Sequence, residues 1–361
     1  MSRVLALAGL WLCVALIPAL AADPPAIAAA PAAEQDALRA KIAGARAEGA
    51  VAYWDAVIGP ETNDEMSKAF HAWYGLDSGF AVHHTQSATL NLVTHVDQEV
   101  ASGKITTDVA SLASPPWLNG LIAAGHLMQY DSPEHVHYTK AFETGLARQG
   151  YYIPNGAYFF TPCWNPDVFD FKGTTWKSVL GAVPPGRIST NDAPNSATGL
   201  LNYIGLRGLL GEDYFRALAK MKPQFIVRTE QMTERLVTGQ DMMAFGDTSG
   251  RLMQAVNRGA NLKYLIPEEG VVLLGAGSFI LAKAPHPNAA KLWLDFMLSE
   301  QGQTIITRLE AVTSVRGGFK SPLPQWAPAI DDMKVVKVDW SRLTTDQIRA
   351  ARAEWISIMS P

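Results

Sequence analysis

Hydroxyl, amide and charged side chains recur in this sequence directly after short apolar runs. In open α/β sheets, ligands bind outside the carboxyl ends of the strands, where turns lead into helix N-termini. The free N–H groups and partial positive charge of a helix N-terminus suit carboxylate, phosphate or phosphonate oxygens. The pattern therefore predicts a site for a small organic anion. Its candidate ligand-binding residues are Trp54, Asp55, Thr85, Gln86, Ser87, Ser114, Asn195, Ser196, Thr198, Arg228, Thr229, Asp247, Thr248 and Ser249.

Most of these residues have a second interpretation. Ser, Thr, Asn and Asp at such positions are also ordinary helix caps. Arg228 and Arg251 could clamp an anion in bidentate fashion, or could be solvated charges at helix starts. Trp54 could floor a pocket and Asp55 could receive an amine, in which case the ligand would be a zwitterion.

A repeated unit of short strand, polar turn and amphipathic helix positions these residues. Strand-like runs occupy residues 50–54, 80–83 and 108–112 in one half and residues 187–189, 225–227 and 242–245 in the other. Each leads through a polar turn into a helical pattern. This alternation predicts an α/β fold with largely parallel sheets.

Two longer extended runs interrupt the repeat, at residues 151–161 and 271–283. We interpret them as crossover strands, so that the chain forms lobe 1, then lobe 2, then lobe 1 again. The predicted boundaries are residues 36–152 and 276–361 for lobe 1 and residues 153–275 for lobe 2. Two crossings predict a hinge about which the lobes close on a ligand.

The N-terminus predicts export. Arg3 is followed by an apolar run over residues 4–20 and by the small-residue pattern Ala19-Leu20-Ala21, which is typical of a signal peptide over residues 1–21. A single-pass anchor is the competing interpretation, but Pro18 interrupts the run. Residues 22–35 are rich in Ala and Pro, which predicts a disordered leader. A bacterial periplasm is the predicted compartment.

Composition narrows the partners of the exported chain. The 30 basic residues against 34 acidic residues argue against nucleic acid or an anionic membrane surface as partner. Cys163 alone remains after residues 1–21, so no disulfide can form within the chain and stability must come from burial. Residues 36–361 are too many for one ordinary core. We expect a monomer without membrane insertion.

Two segments resemble a known family. They are AKAPHPNAAKLWLDFMLSEQGQ, residues 282–303, and GQDMMAFGDTSGRL, residues 239–252. Both resemble the ferric-iron-type bacterial extracellular solute-binding proteins. The resemblance implies a two-lobed type II periplasmic binding fold, an ABC importer whose membrane permease is the partner, and a protein that is not an enzyme and needs no cofactor. It also favours the cleft for Ser87, Ser196 and Thr248, which match ligand loops of the family.

The sequence departs from the family at one point. Ferric-binding members place two adjacent tyrosines in the last ligand loop, where Thr248 and Ser249 stand here. Neutral hydroxyls are poor ligands for a hard cation. An organic anion or zwitterion is therefore the predicted solute, and ferric iron is the alternative.

Other chemistries receive less support. The run from Asp247 to Gly250 is similar to an aspartic-protease loop, but the second copy that a carboxylate dyad needs is missing from the sequence. His83-His84 and His135-x-His137 are not joined by a Cys or Glu cluster, so no metal site is predicted. A secreted hydrolase stays as a second alternative, which would need a nucleophile and a base converging in the cleft.

Overall fold

The computed structural model of the protein describes residues 23–360, and the predicted signal peptide lies outside them. Helices follow or precede strands along most of the chain, as the repeated unit predicts. The helices are α1 (Pro25–Ala29), α2 (Gln35–Glu48), α3 (Pro60–Tyr74), α4 (Thr89–Ser102), α5 (Pro115–Ala123), α6 (Thr139–Glu143), α7 (Ala197–Leu210), α8 (Glu212–Lys220), α9 (Thr229–Val237), α10 (Ser249–Asn257), α11 (Pro287–Leu298), α12 (Glu300–Glu310) and α13 (Thr345–Met359).

The strands form two sheets that share a long strand. They are β1 (Ala50–Asp55), β2 (Ala81–Gln86), β3 (Val109–Leu112), β4 (Ile153–Trp164), β5 (Ile188–Asn191), β6 (Gln224–Ile226), β7 (Met243–Thr248), β8 (Lys263–Tyr264) and β9 (Leu273–Ile280). The order is β2-β1-β3-β9-β4-β7-β5-β6, with β8 on β4. Within each half β2-β1-β3 and β7-β5-β6 are parallel, whereas β9 and β4 are antiparallel to their neighbours.

The predicted crossover strands are confirmed as β4 and β9. The first part of β4, up to Phe159, pairs with β9, and the part from Phe160 onward pairs with β7. A Cβ on Gly275 of β9 would lie 2.6 Å from the ring of Pro154, so the absence of a side chain lets the two strands approach. The result is the two-lobed α/β arrangement that the sequence predicts.

A third crossing corrects the predicted lobe boundaries. The segment after α12 bridges β4 through reciprocal Ala157 and Thr313 backbone hydrogen bonds of 2.8 and 2.7 Å. The chain then ends with α13 packed on α7 and α8 of lobe 2, where the Trp355 ring lies 4.8 Å from that of Phe225. Assigning all of residues 276–361 to lobe 1 is therefore wrong, because the apolar face of α13 is buried by lobe 2.

The described part of the predicted leader is also ordered, contrary to expectation. Helix α1 buries Ala26 and Ile27 against lobe 1, where it contacts α2 and α3. Arg39 forms an ion pair of 2.8 Å with Asp23. An Ala- and Pro-rich composition predicts disorder only where its apolar side chains are not buried by the rest of the protein, and here Ile27 is buried.

Aromatic side chains pack against one another in both lobes. In lobe 1 the Phe70 ring packs edge-on against Trp293 and Phe296, at 5.1 and 5.7 Å, and joins α3 to α11. In lobe 2 the Phe245 ring of β7 lies 5.1 Å from that of Trp176. Burial of large aromatic side chains is a main source of folding energy, so these contacts stabilise both lobes. The two groups belong to one continuous cluster of buried apolar residues. Within residues 23–360, no helix is long and apolar enough to cross a bilayer.

Candidate functional site

A cavity of about 350 Å³ lies between the lobes, a volume within the range of small-molecule sites. It is bounded by lobe 1, by the crossover strand β4 and by lobe 2. The lining residues are Ala56, Val57, Gln86, Glu310, Ala311 and Val312 from lobe 1 and the third crossing, Tyr158 and Phe160 from β4, and Thr198, Thr229, Thr248, Gly250, Arg251 and Gln254 from lobe 2.

The lobe 2 wall is built from three helix N-termini. Strands β6, β5 and β7 are parallel neighbours, so the helices that follow them begin at one edge of the sheet. Thr198 is the second residue of α7, Thr229 is the first residue of α9, and Thr248 is the N-cap of α10. The Thr248 hydroxyl makes no capping bond, so it remains available to a ligand.

Arg251 adds a cationic side chain to this wall, where it is ion-paired with Glu230. Its Nη2 lies 2.8 Å from Glu230 Oε1, and its Nη1 donates to Gln254 Oε1 at 3.2 Å. A guanidinium carries five donors, so these contacts orient the group and leave donors for an anion. The lobe 2 wall therefore combines helix N-termini with a cation.

The lobe 1 wall differs because protein carboxylates already occupy the N-terminus of its helix α3. Asp55 Oδ1 accepts hydrogen bonds from the backbone N–H of Val57, at 2.5 Å, and of Ile58. Glu310 Oε1 accepts from Gly59 N at 2.6 Å and from the Thr62 hydroxyl. The N–H groups of Val57, Ile58 and Gly59 before α3 are thus satisfied internally.

Asp55 belongs to a buried network and does not reach the cavity. It is fully buried and accepts from the Tyr53 hydroxyl and from Asn155 Nδ2, the latter at 3.0 Å. Burial raises the pKa of Asp55 above its ordinary value, and these hydrogen bonds oppose the rise. The expectation that Asp55 receives a ligand amine is wrong for this structure, because the carboxylate is enclosed between β1 and β4.

The floor of the cavity is aromatic. Tyr158 and Phe160 of β4 meet edge to face, with ring centroids 6.0 Å apart. Burial, with a smaller contribution from the Asp55 carboxylate, raises the pKa of Tyr158 to about 12, so the phenol is neutral at physiological pH. This floor can pack against apolar or cationic parts of a ligand.

The structure brings together part of the sequence-predicted set. Gln86, Thr198, Thr229 and Thr248 line the cavity. The other candidates have different surroundings. Trp54 stacks on His95 with ring centroids 3.8 Å apart, and Asn195 donates a hydrogen bond to Asp192. Arg228 is exposed and lies 3.8 Å from Glu230, whereas Asp247 and Ser249 are buried. The half-buried residues outside the cavity lining are Thr85, Ser87 and Ser114.

Ser196 has the capping role rather than a place on the cavity wall. Its hydroxyl accepts from Gly199 N at 3.1 Å, at the start of α7. The rule that ligands bind where a strand leads into a helix, called here the strand-to-helix rule, identified both Ser196 and Thr198. It could not distinguish Ser196, which caps the helix, from Thr198, which lines the cavity. Glu310 and Tyr158 were not identified from the sequence, because neither follows a strand end.

Substituting Ser196 and Thr248 separately tests this division of roles. Ser196→Ala should lower the free energy of unfolding by about 1 kcal/mol without changing ligand affinity, since a cap is lost. Thr248→Ala should leave stability unchanged and weaken binding about fivefold, since one ligand hydrogen bond contributes about 1 kcal/mol. Urea denaturation and calorimetric titration of both variants measure the two effects. The opposite pattern would place Ser196 in the site and make Thr248 structural.

Two α/β lobes joined by crossover strands around a polar cleft define a type II periplasmic binding protein fold. The chain belongs to the bacterial extracellular solute-binding proteins, whose family model matches residues 65–329. The resemblance inferred from residues 239–252 and 282–303 is thereby confirmed. No curated protein sequence matches the chain.

Solved structures share the fold at low sequence identity. The substrate-binding protein of an ABC transporter from Agrobacterium tumefaciens has a TM-score of 0.68 at 14% identity, over 86% of this chain and 94% of that one. Fructose-6-phosphate-bound AfuA from Actinobacillus pleuropneumoniae has a TM-score of 0.68 at 17% identity, over 86% and 98%. Iron-bound HitA from Pseudomonas aeruginosa has a TM-score of 0.65 at 19% identity, over 86% and 99%.

Proposed function

We propose that the protein is the periplasmic solute-binding component of an ABC importer and captures a small organic anion. The observation that carries the proposal is the convergence of three helix N-termini and the Arg251 guanidinium on the lobe 2 wall of the cavity. Partial positive charge, free N–H groups and a bidentate donor together suit a carboxylate, phosphonate or phosphate. Family membership and the similarity to an ABC-transporter binding protein support the transport role.

Capture would proceed by hinge closure. An open cleft admits the anion to the lobe 2 wall, and rotation about the three crossing segments then brings Gln86 and Val57 of lobe 1 over it. The closed form presents both lobes to a membrane permease. Family membership and the predicted signal peptide support a periplasmic location.

Ferric iron is the second candidate, favoured by the similarity to iron-bound HitA. The cleft gives it little support, because Tyr158 is the single tyrosine among the described lining residues. Within residues 23–360, no group of three or more His, Cys, Asp and Glu side chains is placed to hold a metal ion. The organic anion therefore has the stronger case.

A hydrolytic role also has little support. The described lining residues include no Ser, Cys or His, so a reaction would have to use threonine hydroxyls, the Tyr158 phenol and Glu310. The Thr62 hydroxyl donates to Glu310, but Thr62 is buried and does not line the cavity, so no hydroxyl of the described lining residues is paired with a base.

A thermal-shift screen of the exported protein tests the proposal. The panel contains carboxylates, phosphonates, sugar phosphates, polyamines and ferric salts. We expect an organic anion to stabilise the fold, by about 2.7 kcal/mol when present at 100 times its Kd, and mass analysis to recover it unchanged. Stabilisation by ferric salts alone, with a visible tyrosinate band, would support iron instead. Recovery of a cleaved product would support the hydrolase.

A further inference from the structure

The two walls of the interlobe cavity carry opposite charges. Of the described residues that line it, two are charged: Arg251 on the lobe 2 wall and Glu310 on the lobe 1 wall. The helix ends reinforce this difference. Helices α7, α9 and α10 begin at the lobe 2 wall, whereas α12 ends at the lobe 1 wall with Glu310 as its last residue. Helix N-termini carry partial positive charge and C-termini partial negative charge, so the cavity is electrically bipolar.

Glu310 retains an oxygen for a ligand. Both of its protein hydrogen bonds, from Gly59 N and from the Thr62 hydroxyl, go to Oε1. Oε2 has no hydrogen-bond partner among the described residues, although the side chain is half-buried at the cavity wall. The two bonds fix the carboxylate in position. A fixed carboxylate with one open oxygen favours an ammonium group and disfavours a second anion.

The two charged walls approach each other closely. Gly250 precedes Arg251 at the start of α10, and a Cβ added to it would lie 3.4 Å from the Glu310 carbonyl oxygen and 3.5 Å from that of Ala311. A small ligand can therefore contact both walls at once. Between the walls, the rings of Tyr158 and Phe160 provide a floor that also favours a cation.

We propose that the ligand is a small zwitterion. Its carboxylate, phosphonate or phosphate would bind Arg251 and the helix N-termini of lobe 2, and its ammonium group would bind Glu310 Oε2 above the aromatic floor. This inference rests on the proposed anion capture and adds the second charged group. A simple dianion would meet the uncompensated Glu310 carboxylate as the lobes close.

Matched pairs of probes test the ammonium requirement by calorimetric titration. Phosphoethanolamine is compared with ethyl phosphate, and 4-aminobutanoate with butanoate, so that each pair differs in the amine. We expect the amine-bearing member of at least one pair to bind at least tenfold more tightly, equivalent to about 1.4 kcal/mol. Glu310→Gln should remove this preference, because a neutral amide no longer attracts the ammonium group electrostatically. The matched control is Glu300→Gln, an exposed residue on the same helix, which should keep the preference.

The outcomes separate this inference from the function on which it rests. Equal binding within each pair would overturn the zwitterion proposal and leave anion capture standing. The same conclusion would follow if fructose 6-phosphate bound more tightly than either amine and Glu310→Gln did not change its affinity. A failure of every anion to bind would reject both. The comparison of pairs on the unmodified protein needs no variant, so the inference is testable even if Glu310→Gln loses the α3 cap and unfolds.

Discussion

Replacing Arg251 by glutamine is expected to weaken the binding of the preferred anion at least 30-fold. Hydrogen bonds to charged groups contribute about 1.5–3 kcal/mol, and a loss of about 2 kcal/mol corresponds to about 30-fold in Kd. Arg251 is the one cationic side chain among the described residues that line the cavity, so no other of these side chains can replace its charge. Titration of the variant with the anion that most stabilises the unmodified protein measures the loss.

Stability should hardly change in the same variant. Arg251 and Glu230 are both about 40% exposed, and ion pairs at such sites contribute about 0–1 kcal/mol. Arg258→Gln is the matched control, because Arg258 lies at the other end of α10 and lines a neighbouring groove rather than the cleft. Arg228→Gln serves as the second control. If Arg228→Gln weakened binding and Arg251→Gln did not, the anion would bind at the rim of the lobe and not at the wall described here.

The lobes and two of the crossings could be predicted from the sequence because their signals are local. The run at residues 50–54 becomes β1 with its first residue unchanged, and the extended runs at residues 151–161 and 271–283 become β4 and β9. The third crossing had no such signal. The sequence of an amphipathic helix such as α13 indicates an apolar face but does not indicate which lobe buries it. Contacts in the folded protein, such as that of Trp355 with Phe225, decide this.

The candidate site could be predicted only as an edge of the sheet. The strand-to-helix rule places Thr229, Thr248 and Asp55 in equivalent positions, yet Asp55 is enclosed by Tyr53 and Asn155. Whether a polar side chain at a strand end faces a ligand or its own backbone depends on rotamers and neighbours that the sequence does not specify. Glu310 is the last residue of α12 and does not follow a strand in the sequence, so the rule could not identify it.

Asp247 should make the protein less stable as the pH rises from about 4 to 7. Burial raises the pKa of Asp247 to about 7, while hydrogen bonds from Thr233 and Thr248 and the charge of Arg251 oppose the rise and the charge of Glu230 adds to it. The folded protein therefore keeps this proton where the unfolded chain, with an ordinary pKa near 3.8, has lost it. More protons on the folded state mean that the free energy of unfolding falls as pH rises, by at most about 1.4 kcal/mol per pH unit.

Asp247→Asn should remove this dependence and make the protein more stable than the unmodified chain at pH 8. Urea denaturation of both proteins between pH 5 and 8 measures the effect as a difference. The difference matters because burial also raises the pKa of Asp55 and Asp295, which contribute the same slope to both proteins and cancel. Parallel curves would show that Asp247 ionises normally.

Since the Asp247 carboxylate lies directly behind Thr248, its ionisation should also repel a bound anion. The affinity of the unmodified protein for the anion should therefore fall above pH 7, whereas that of Asp247→Asn should stay constant.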